Sequence, residues 1–391
     1  MGSFKALDEY LAKNVETGPA GCGCRVEKNG EVLYENYFGY ADLEKKIPVT
    51  EKSVYRQFST TKIIVCTAAM MLFERGKFLL DDPISMYFPE WKDTMVSERL
   101  EDGSWRVRPA ARPIQVRDCF TMSMGIGYGG DDYTHLMAKK AREDLQISTG
   151  GSIDGPCCYT LRDDIRAMSK VPTAFDPGTH WLYGFGHELV AGLIEAVSGK
   201  TVGEFLKEEI FEPLGMDSTG YRYFGDIRER MVTAYELKED KSRVPMGKEQ
   251  DALHEPDARY EGGGAGLFSS VRDYSVFMQM LACGGMYRGE HIIGRKTIDL
   301  MRRNQLNDQQ LKEFTGPYVA GYGYGLGVRT MMNPLGSNSS AGEFGWTGML
   351  GTYAEADPSE RLSIVYMHNS MPNREEEIHH RVRNIVYGAI E

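Results

Sequence analysis

The 391-residue chain lacks the cysteine, histidine and charge patterns that mark several classes of protein. Its seven cysteines form no C-x-x-C pair, and we expect all of them to be reduced thiols. Its eight histidines form no H-E-x-x-H pattern, so the sequence predicts neither a metal nor a cofactor. A net charge of -11 argues against a nucleic-acid partner, because phosphate binding needs a basic face.

The sequence also lacks any segment that predicts a membrane span or an export signal. The longest apolar run, residues 63–73, is well short of the roughly 20 residues that cross a bilayer. Residues 1–15 contain no basic region followed by an apolar core, as a secretory signal would. We therefore expect a cytoplasmic protein that has no membrane partner.

What the chain does contain is the composition of an ordinary globular protein, with 41% hydrophobic and 26% charged residues. Its length favours two domains or one large unit. Periodicity predicts helices over residues 5–15, 59–74, 161–169, 186–198, 202–211 and 374–389. Residues 21–40 are predicted to form two strands joined by the Asn29-Gly30 turn, and Asp102-Gly103 predicts the turn of a small hairpin. Further strands are predicted over residues 324–330, 351–356 and 362–368. This order predicts a sheet built from both ends of the chain, with a helical region inserted into it.

The tetrapeptide Ser59-Thr-Thr-Lys62 places a hydroxyl and an amine on one face of a first helical turn. A serine there is a candidate nucleophile, because backbone N–H groups at a helix start favour the negative charge that develops in acyl transfer. The alternative is a helix-capping serine followed by an exposed lysine. Against it, Ile63, Ile64 and Val65 surround the amine with apolar side chains, which favours the neutral form of a lysine.

Around this tetrapeptide the sequence resembles the serine β-lactamase and penicillin-binding-protein superfamily, of which S-x-x-K is a motif. The matching segments follow in the order expected for that superfamily: Phe58-Ser-Thr-Thr-Lys62, 74–83, 109–114, Met122-Ser-Met-Gly125, Asp176-Pro-Gly-Thr-His-Trp-Leu-Tyr183, 211–216, 262–270, Phe344-Gly-Trp-Thr-Gly348 and 356–358. The resemblance implies an α/β fold of the α+β type, in which helices flank an antiparallel sheet. It also implies a sheet domain of residues 1–58 and 225–391, a mainly helical domain of residues 59–224, and an active site in the cleft between them.

Within the superfamily the pattern is most similar to class C β-lactamases and family VIII esterases, whose second motif begins with tyrosine. Tyr183 matches that tyrosine, which implies a partner of Lys62 in proton transfer; the alternative is an ordinary core tyrosine. The family motif continues with asparagine or serine two residues later, whereas this chain has Phe185. Because Phe185 cannot donate a hydrogen bond, we expect the polar contact of that position to be lost.

The third motif departs from the family at Trp346, which replaces the usual lysine or histidine before Thr347 and Gly348. A cation there would bind a carboxylate, whereas an indole offers a flat apolar wall. Trp181, Tyr183, Phe185 and Phe344 add to an aromatic site. The resemblance implies that residues 347–349 border the cleft and that the N–H groups of Met349 and Ser59 form the oxyanion hole. The alternative is a plain glycine-rich strand end.

These residues predict a serine hydrolase that forms an acyl-enzyme, most simply an esterase or acyltransferase acting on small apolar esters. One alternative keeps the mechanism for a β-lactam or a D-amino-acid peptide, and another is a non-catalytic binding protein with the same fold. Acyl size is expected to depend on loops such as 131–158. The Gly125–Gly130 segment matches G-x-G-x-x-G, but no apolar strand precedes it, so a dinucleotide site is not predicted.

Overall fold

The computed structural model of the protein describes residues 3–144, 159–316 and 319–390. Residues 145–158 of the predicted acyl-size loop, together with Cys157 and Cys158, lie outside these described residues. The other five cysteines, Cys22, Cys24, Cys66, Cys119 and Cys283, are free thiols.

The described residues form thirteen α-helices. In chain order these are α1 Lys5–Thr17, α2 Thr61–Glu74, α3 Val116–Phe120, α4 Tyr133–Asp144, α5 Leu161–Met168, α6 Gly186–Ser198, α7 Val202–Leu206, α8 Glu212–Leu214, α9 Ile227–Arg230, α10 Val271–Ala282, α11 Arg295–Met301, α12 Asp308–Glu313 and α13 Glu375–Ala389. A π-helical turn, Lys207–Phe211, joins α7 to α8, so the predicted helix 202–211 is observed with a different pitch in its second half.

Seventeen strands lie in the same described parts of the chain. They are β1 Gly21–Lys28, β2 Glu31–Asp42, β3 Ile47–Pro48, β4 Val54–Arg56, β5 Met95–Arg99, β6 Trp105–Pro109, β7 Tyr235–Leu237, β8 Arg243–Pro245, β9 Phe268–Ser270, β10 Met286–Tyr287, β11 Glu290–His291, β12 Tyr322–Tyr324, β13 Arg329–Met331, β14 Phe344–Thr347, β15 Tyr353–Asp357, β16 Leu362–Met367 and β17 Ser370–Met371.

Eight strands form one antiparallel sheet in the order β12-β13-β14-β15-β16-β1-β2-β3. The amino-terminal strand β1 pairs directly with the carboxyl-terminal strand β16, from Gly23 opposite Met367 to Lys28 opposite Leu362. The prediction of an antiparallel sheet built from both ends of the chain is therefore confirmed. Helices α1 and α13 pack on it with α10, and their buried side chains form the core with the strands.

The inserted region is mainly helical, and α2 lies at its centre. Helix α2 is apolar on nearly every face, and all of its residues from Thr61 to Leu72 are buried, so packing must surround it. It packs on α6 and ends before Gly76, whose φ of +69° reverses the chain as predicted. The hairpin β5–β6 also forms where Asp102-Gly103 predicted it. The domain boundaries at residues 58 and 224 stay a prediction.

One strand prediction was wrong. The alternating segment 324–330 forms the end of β12, a turn and the start of β13, and not a single strand. Gly327 has a φ of +89°, a left-handed conformation that breaks an extended segment. No helix in the described parts of the chain is long and apolar enough to cross a membrane.

Candidate active site

Ser59 lies on a sharp turn between β4 and α2. Phe58, immediately before it, has a φ of +47°, a left-handed conformation that costs a bulky side chain on the order of 1–3 kcal/mol. Residues 58–60 then form a short 3-10 turn that continues into α2. The predicted helix thus begins two residues later, at Thr61, and Ser59 sits on the turn that leads into it.

Lys62 is the side chain that contacts the Ser59 hydroxyl. Its Nζ donates a hydrogen bond to Ser59 Oγ at 3.2 Å and another to the carbonyl oxygen of Gly264 at 2.6 Å. The lysine is only 1% exposed. The structure therefore brings the predicted nucleophile and the predicted base into direct contact, and it excludes the alternative of an exposed lysine.

Hydrogen bonds join the turn that follows strand β14 to the turn that contains Ser59. The hydroxyl of Thr352 donates to the carbonyl of Gln57 at 3.0 Å and lies 3.1 Å from the hydroxyl of Thr60. A Cβ added to Gly348 would stand 2.4 Å from the Gln57 carbonyl oxygen, so only glycine allows this approach. This contact places Thr347, Gly348 and Met349 in the same cleft as Ser59.

Tyr183 is brought to the cleft by a close contact between two glycines. Gly184 forms an isolated antiparallel bridge with Gly127, and a Cβ on Gly184 would stand 2.0 Å from the carbonyl oxygen of Ile126. The backbone N–H of Tyr128 also donates to the carbonyl of Tyr183 at 3.3 Å. As a result, the rings of Tyr128 and Tyr183 lie edge to face, with centroids 5.3 Å apart.

Both tyrosines present their ring faces to the lysine. The Lys62 Nζ lies 4.7 Å from the ring centroid of Tyr183 and 5.0 Å from that of Tyr128, within the range of a cation–π contact. The hydroxyl of Tyr183 instead accepts a hydrogen bond from the indole Nε1 of Trp346 at 3.1 Å. Trp346 is therefore a polar partner of Tyr183 as well as an apolar wall.

These residues surround a cleft of about 520 Å³, a size suited to a small organic molecule. Its lining includes six aromatic residues, Phe58, Tyr128, Trp181, Tyr183, Phe314 and Trp346. The rings contact one another, for example Trp181 with Phe314 at 4.9 Å between centroids and Tyr183 with Trp346 at 5.5 Å. Of the aromatic residues expected at the site, Trp181, Tyr183 and Trp346 line this cleft.

Phe185 and Phe344 do not line the cleft, in contrast to the expected aromatic set. Phe185 already has helical dihedrals at the start of α6, so its side chain turns away into the core, where the Arg142 guanidinium lies 5.5 Å from its ring centroid. Phe344 is fully buried within the sheet. A direct contact of Phe185 with a substrate has no support in this geometry.

Two carboxyl groups border the cleft, Glu188 and Glu375. Burial raises the pKa of Glu188 to about 7, against the opposing effect of the Lys62 ammonium. Burial also raises the pKa of Glu375, while a hydrogen bond with Thr347 opposes the shift. His187 lies behind the cleft, and burial together with the Lys62 charge lowers its pKa to about 3, so it is neutral near pH 7.

The sequence analysis missed several residues that line the cleft, among them Tyr128, Glu188, Phe314 and Glu375. Tyr128 lies in the glycine-rich segment 125–130, only three residues beyond the matched segment that ends at Gly125. Glu188 lies three residues after Phe185 in the first turn of α6, and it lines the cleft although Phe185 does not. Its place in the cleft depends on tertiary packing, for which the sequence offers no local signal. Within the described residues, no three His, Cys, Asp or Glu side chains are placed to hold a metal ion.

Comparison with known proteins gives a family match over almost the whole chain. The family model described as beta-lactamase matches residues 8–387. Protein Rv1367c of Mycobacterium tuberculosis is 28% identical over 362 residues, covering 90% of this chain and 86% of its own. Esterase EstB of Burkholderia gladioli is 26% identical, covering 88% and 84%. The solved structure of EstCE1, a hydrolase with promiscuous acyltransferase activity, has a TM-score of 0.79 at 22% identity, covering 98% of both chains.

Proposed function

The chain belongs to the beta-lactamase family, and from that premise we propose that it is a serine hydrolase that forms an acyl-enzyme on Ser59. The observation that carries the proposal is the hydrogen bond of 3.2 Å between Lys62 Nζ and Ser59 Oγ inside a mainly apolar cleft. A nucleophile within hydrogen-bond reach of a buried amine is the arrangement that covalent catalysis requires.

In the proposed reaction, Ser59 Oγ attacks an ester carbonyl carbon while its proton passes to the neutral Lys62 amine. The carbonyl oxygen becomes an oxyanion, for which the N–H groups of Ser59 and Met349 are the proposed donors. When the C–O bond of the ester breaks, the leaving alkoxide receives a proton from Lys62 by way of Tyr183. Water or a second alcohol then attacks the acyl-enzyme, which gives hydrolysis or acyl transfer.

We propose small uncharged esters as the substrates, because the cleft offers apolar contact and negative charge. Trp346 occupies the position where a cation would bind a carboxylate, and its N–H is engaged by Tyr183. Glu188 and Glu375 border the same cleft, so at a pH above their raised pKa values a carboxylate-bearing β-lactam or peptide would meet like charge. The similarity to EstB and EstCE1, described as an esterase and as a hydrolase, supports the same choice.

Labelling with a fluorophosphonate tests the proposal, since this probe reacts with an activated serine. We expect the wild-type chain and Ser104→Ala, which changes an exposed serine in the β5–β6 turn, to be labelled equally. Ser59→Ala should not be labelled. An unlabelled wild-type chain would favour a non-catalytic binding protein, and labelling of Ser59→Ala would exclude Ser59 as the nucleophile.

Substrate preference is tested by comparing a short nitrophenyl ester with nitrocefin, a carboxylate-bearing β-lactam. We expect kcat/KM to be at least about a hundredfold higher for the ester, which corresponds to nearly 3 kcal/mol of difference between the two transition states. Faster turnover of nitrocefin would contradict the proposed ester preference while leaving the role of Ser59 intact.

A further inference from the structure

Glu188 brings a buried carboxyl group into the cleft one helical turn after the position where the family motif has an amide or a hydroxyl. Its backbone N–H donates to the carbonyl of Phe185 at 3.0 Å, so the two residues occupy successive positions of the first turn of α6. Phe185 faces the core, whereas Glu188 lines the cleft and is 6% exposed. The cleft therefore has a polar side chain from position 188 and none from position 185.

The Glu188 carboxyl group and the Lys62 amino group both lie against the same residue, Gly264. Lys62 donates to its carbonyl, and a Cβ added to Gly264 would stand 2.7 Å and 2.9 Å from the two carboxylate oxygens of Glu188. The same added atom would lie 2.0 Å from the hydroxyl of Tyr128, which donates to Glu188 Oε2 at 3.4 Å. Glu188 is therefore a close but indirect neighbour of the lysine.

Several other titratable or charged groups affect Glu188, and they leave Lys62 as its principal counter-charge. Arg142 from α4 is engaged by Asp164 of α5 through two hydrogen bonds of 2.8 and 2.9 Å, so much of its charge is balanced there. The groups that surround Glu188 or couple to its charge are Lys62 and Cys66 of α2, Tyr128, Arg142, Asp164, Tyr221 and Tyr260.

We propose that Glu188 is a positioning residue whose carboxylate stabilises the ammonium that Lys62 becomes when it takes the proton of Ser59. This inference rests on the proposed function of Ser59 and Lys62. In the step concerned, the Ser59 O–H bond breaks and an Nζ–H bond forms. No proton moves to Glu188, which acts only through its charge and through its contacts with Tyr128 and Gly264.

The consequence is a pH dependence that a neutral amide at this position would not produce. Because the pKa of Glu188 is raised to about 7, its active, ionised form appears as the pH increases through neutrality. Glu195 provides a matched control on the same helix. Burial, with the Glu261 charge adding to it, raises the pKa of Glu195 to about 7 as well, but Glu195 does not line the cleft.

The first test compares wild type, Glu188→Gln and Glu195→Gln from pH 5 to 9, with the ester and with fluorophosphonate labelling of Ser59. We expect Glu188→Gln to lose at least about tenfold in kcat, the effect of one pKa unit of coupling, with little change in KM. In Glu188→Gln, kcat should also no longer increase as the pH passes through 7. Glu195→Gln should keep the wild-type kcat and its increase near pH 7. Glu188→Asp should keep the increase near pH 7 but have a lower kcat than wild type.

The second test is independent of activity. Lysine labelled with ¹³C at Cε reports the charge of Lys62 by NMR, and Lys62→Arg identifies its signal. In Glu188→Gln we expect the Lys62 signal to change at a lower pH than in wild type, because a neighbouring negative charge is gone; Glu195→Gln should not shift it. By thermodynamic reciprocity, the coupling seen at one group must appear at the other.

The two tests separate the inference from the proposed function. If Glu188→Gln keeps the wild-type pH profile and an unshifted Lys62 signal, the role of Glu188 is overturned even though Ser59 is labelled. If wild-type Ser59 is not labelled but the Lys62 signal shifts, the proposed hydrolase activity fails while the charge coupling of Glu188 with Lys62 is supported. Circular dichroism of each variant verifies that it has folded.

Discussion

The indole N–H of Trp346 donates a hydrogen bond to the hydroxyl oxygen of Tyr183, with 3.1 Å between Nε1 and the oxygen. A donor at this oxygen stabilises any negative charge that develops on it and leaves the tyrosine hydrogen free to be donated elsewhere. The residue that replaces the family's cation therefore contacts the proposed proton relay directly. Its position depends on packing, since Trp346 is 4% exposed and is enclosed by Tyr324 and Phe314.

Removing this hydrogen bond should slow the chemical step. We expect Trp346→Phe to lower kcat for a short ester about fivefold, the effect of a hydrogen bond of about 1 kcal/mol, with a smaller change in KM. Trp181→Phe is the matched control. Trp181 also lines the cleft and stacks on Tyr183 at 6.2 Å, but its indole N–H has no hydrogen-bond partner among the described residues. Equal losses of kcat in the two variants would assign the effect to lost aromatic packing.

The fold was largely predictable because its main elements carry local signals. The Asn29-Gly30 turn predicted the hairpin of β1 and β2, and the apolar periodicity of α2 predicted a buried helix that ends at Gly76. The prediction for segment 324–330 failed because alternating residues resemble one strand whether or not a glycine between them turns the chain. Gly327 provides that turn, and neither its φ nor its packing is visible in the sequence.

The site was predictable where one short segment contains the proposed catalytic side chains, and less predictable where segments distant in the sequence come together. Ser59 and Lys62 are three residues apart, so helical spacing alone predicted the contact that is observed. The contacts of Tyr128 and Glu188 depend on tertiary structure, namely the bridge between Gly127 and Gly184 and the approach of Gly264. The roles proposed for all of these residues stay predictions.

Gly264 should be sensitive to the addition of a single methyl group. A Cβ at this position would stand 2.0 Å from the Tyr128 hydroxyl and 2.7 and 2.9 Å from the Glu188 carboxylate oxygens, so both side chains have to move. We expect Gly264→Ala to lower kcat/KM at least about tenfold, since misplacement of supporting groups by about 1 Å has effects of this size.

Gly129→Ala is the control for this substitution. It lies beside Tyr128 in the chain, and a Cβ there would meet no atom within 4 Å. It should retain at least half of the wild-type kcat/KM. A thermal melt accompanies both measurements, and wild-type activity in Gly264→Ala would show that the position of Tyr128 is not needed for turnover.

Glu375 should disfavour substrates that carry a carboxylate. It lines the cleft beside Thr347, and its pKa is raised by burial, so an assay at pH 8 favours its ionised form. We expect Glu375→Gln to increase kcat/KM about fivefold for an ester that bears a carboxylate, because removing one like charge at close range gives about 1 kcal/mol. The rate with a neutral ester of the same shape should change less than twofold.

Glu376→Gln removes the same charge from the neighbouring, exposed residue. It should leave the ratio of rates for the two esters unchanged, because solvent screens a charge at that position. An equal increase in both variants would mean that net charge, and not the location of Glu375 in the cleft, determines the discrimination.

Glu195 should make the protein less stable as the pH rises from about 5 to 7. The pKa of this carboxyl is raised from 4.5 to about 7, first by burial and then by the charge of Glu261. Between these two values the folded chain holds a proton that the unfolded chain has released. The free energy of unfolding therefore falls with increasing pH, by up to about 1.4 kcal/mol per pH unit for one such group.

Glu195→Gln should remove this contribution. Because Glu195 retains some solvent contact, we expect the variant to gain about 1–2 kcal/mol relative to wild type between pH 5 and pH 7.5. Urea unfolding at several pH values measures the difference. The raised pKa of Glu188 has the same effect on wild type and on Glu195→Gln. The difference between their free energies of unfolding therefore isolates the contribution of Glu195. A difference that does not depend on pH would mean that Glu195 is ionised in the folded protein throughout this range.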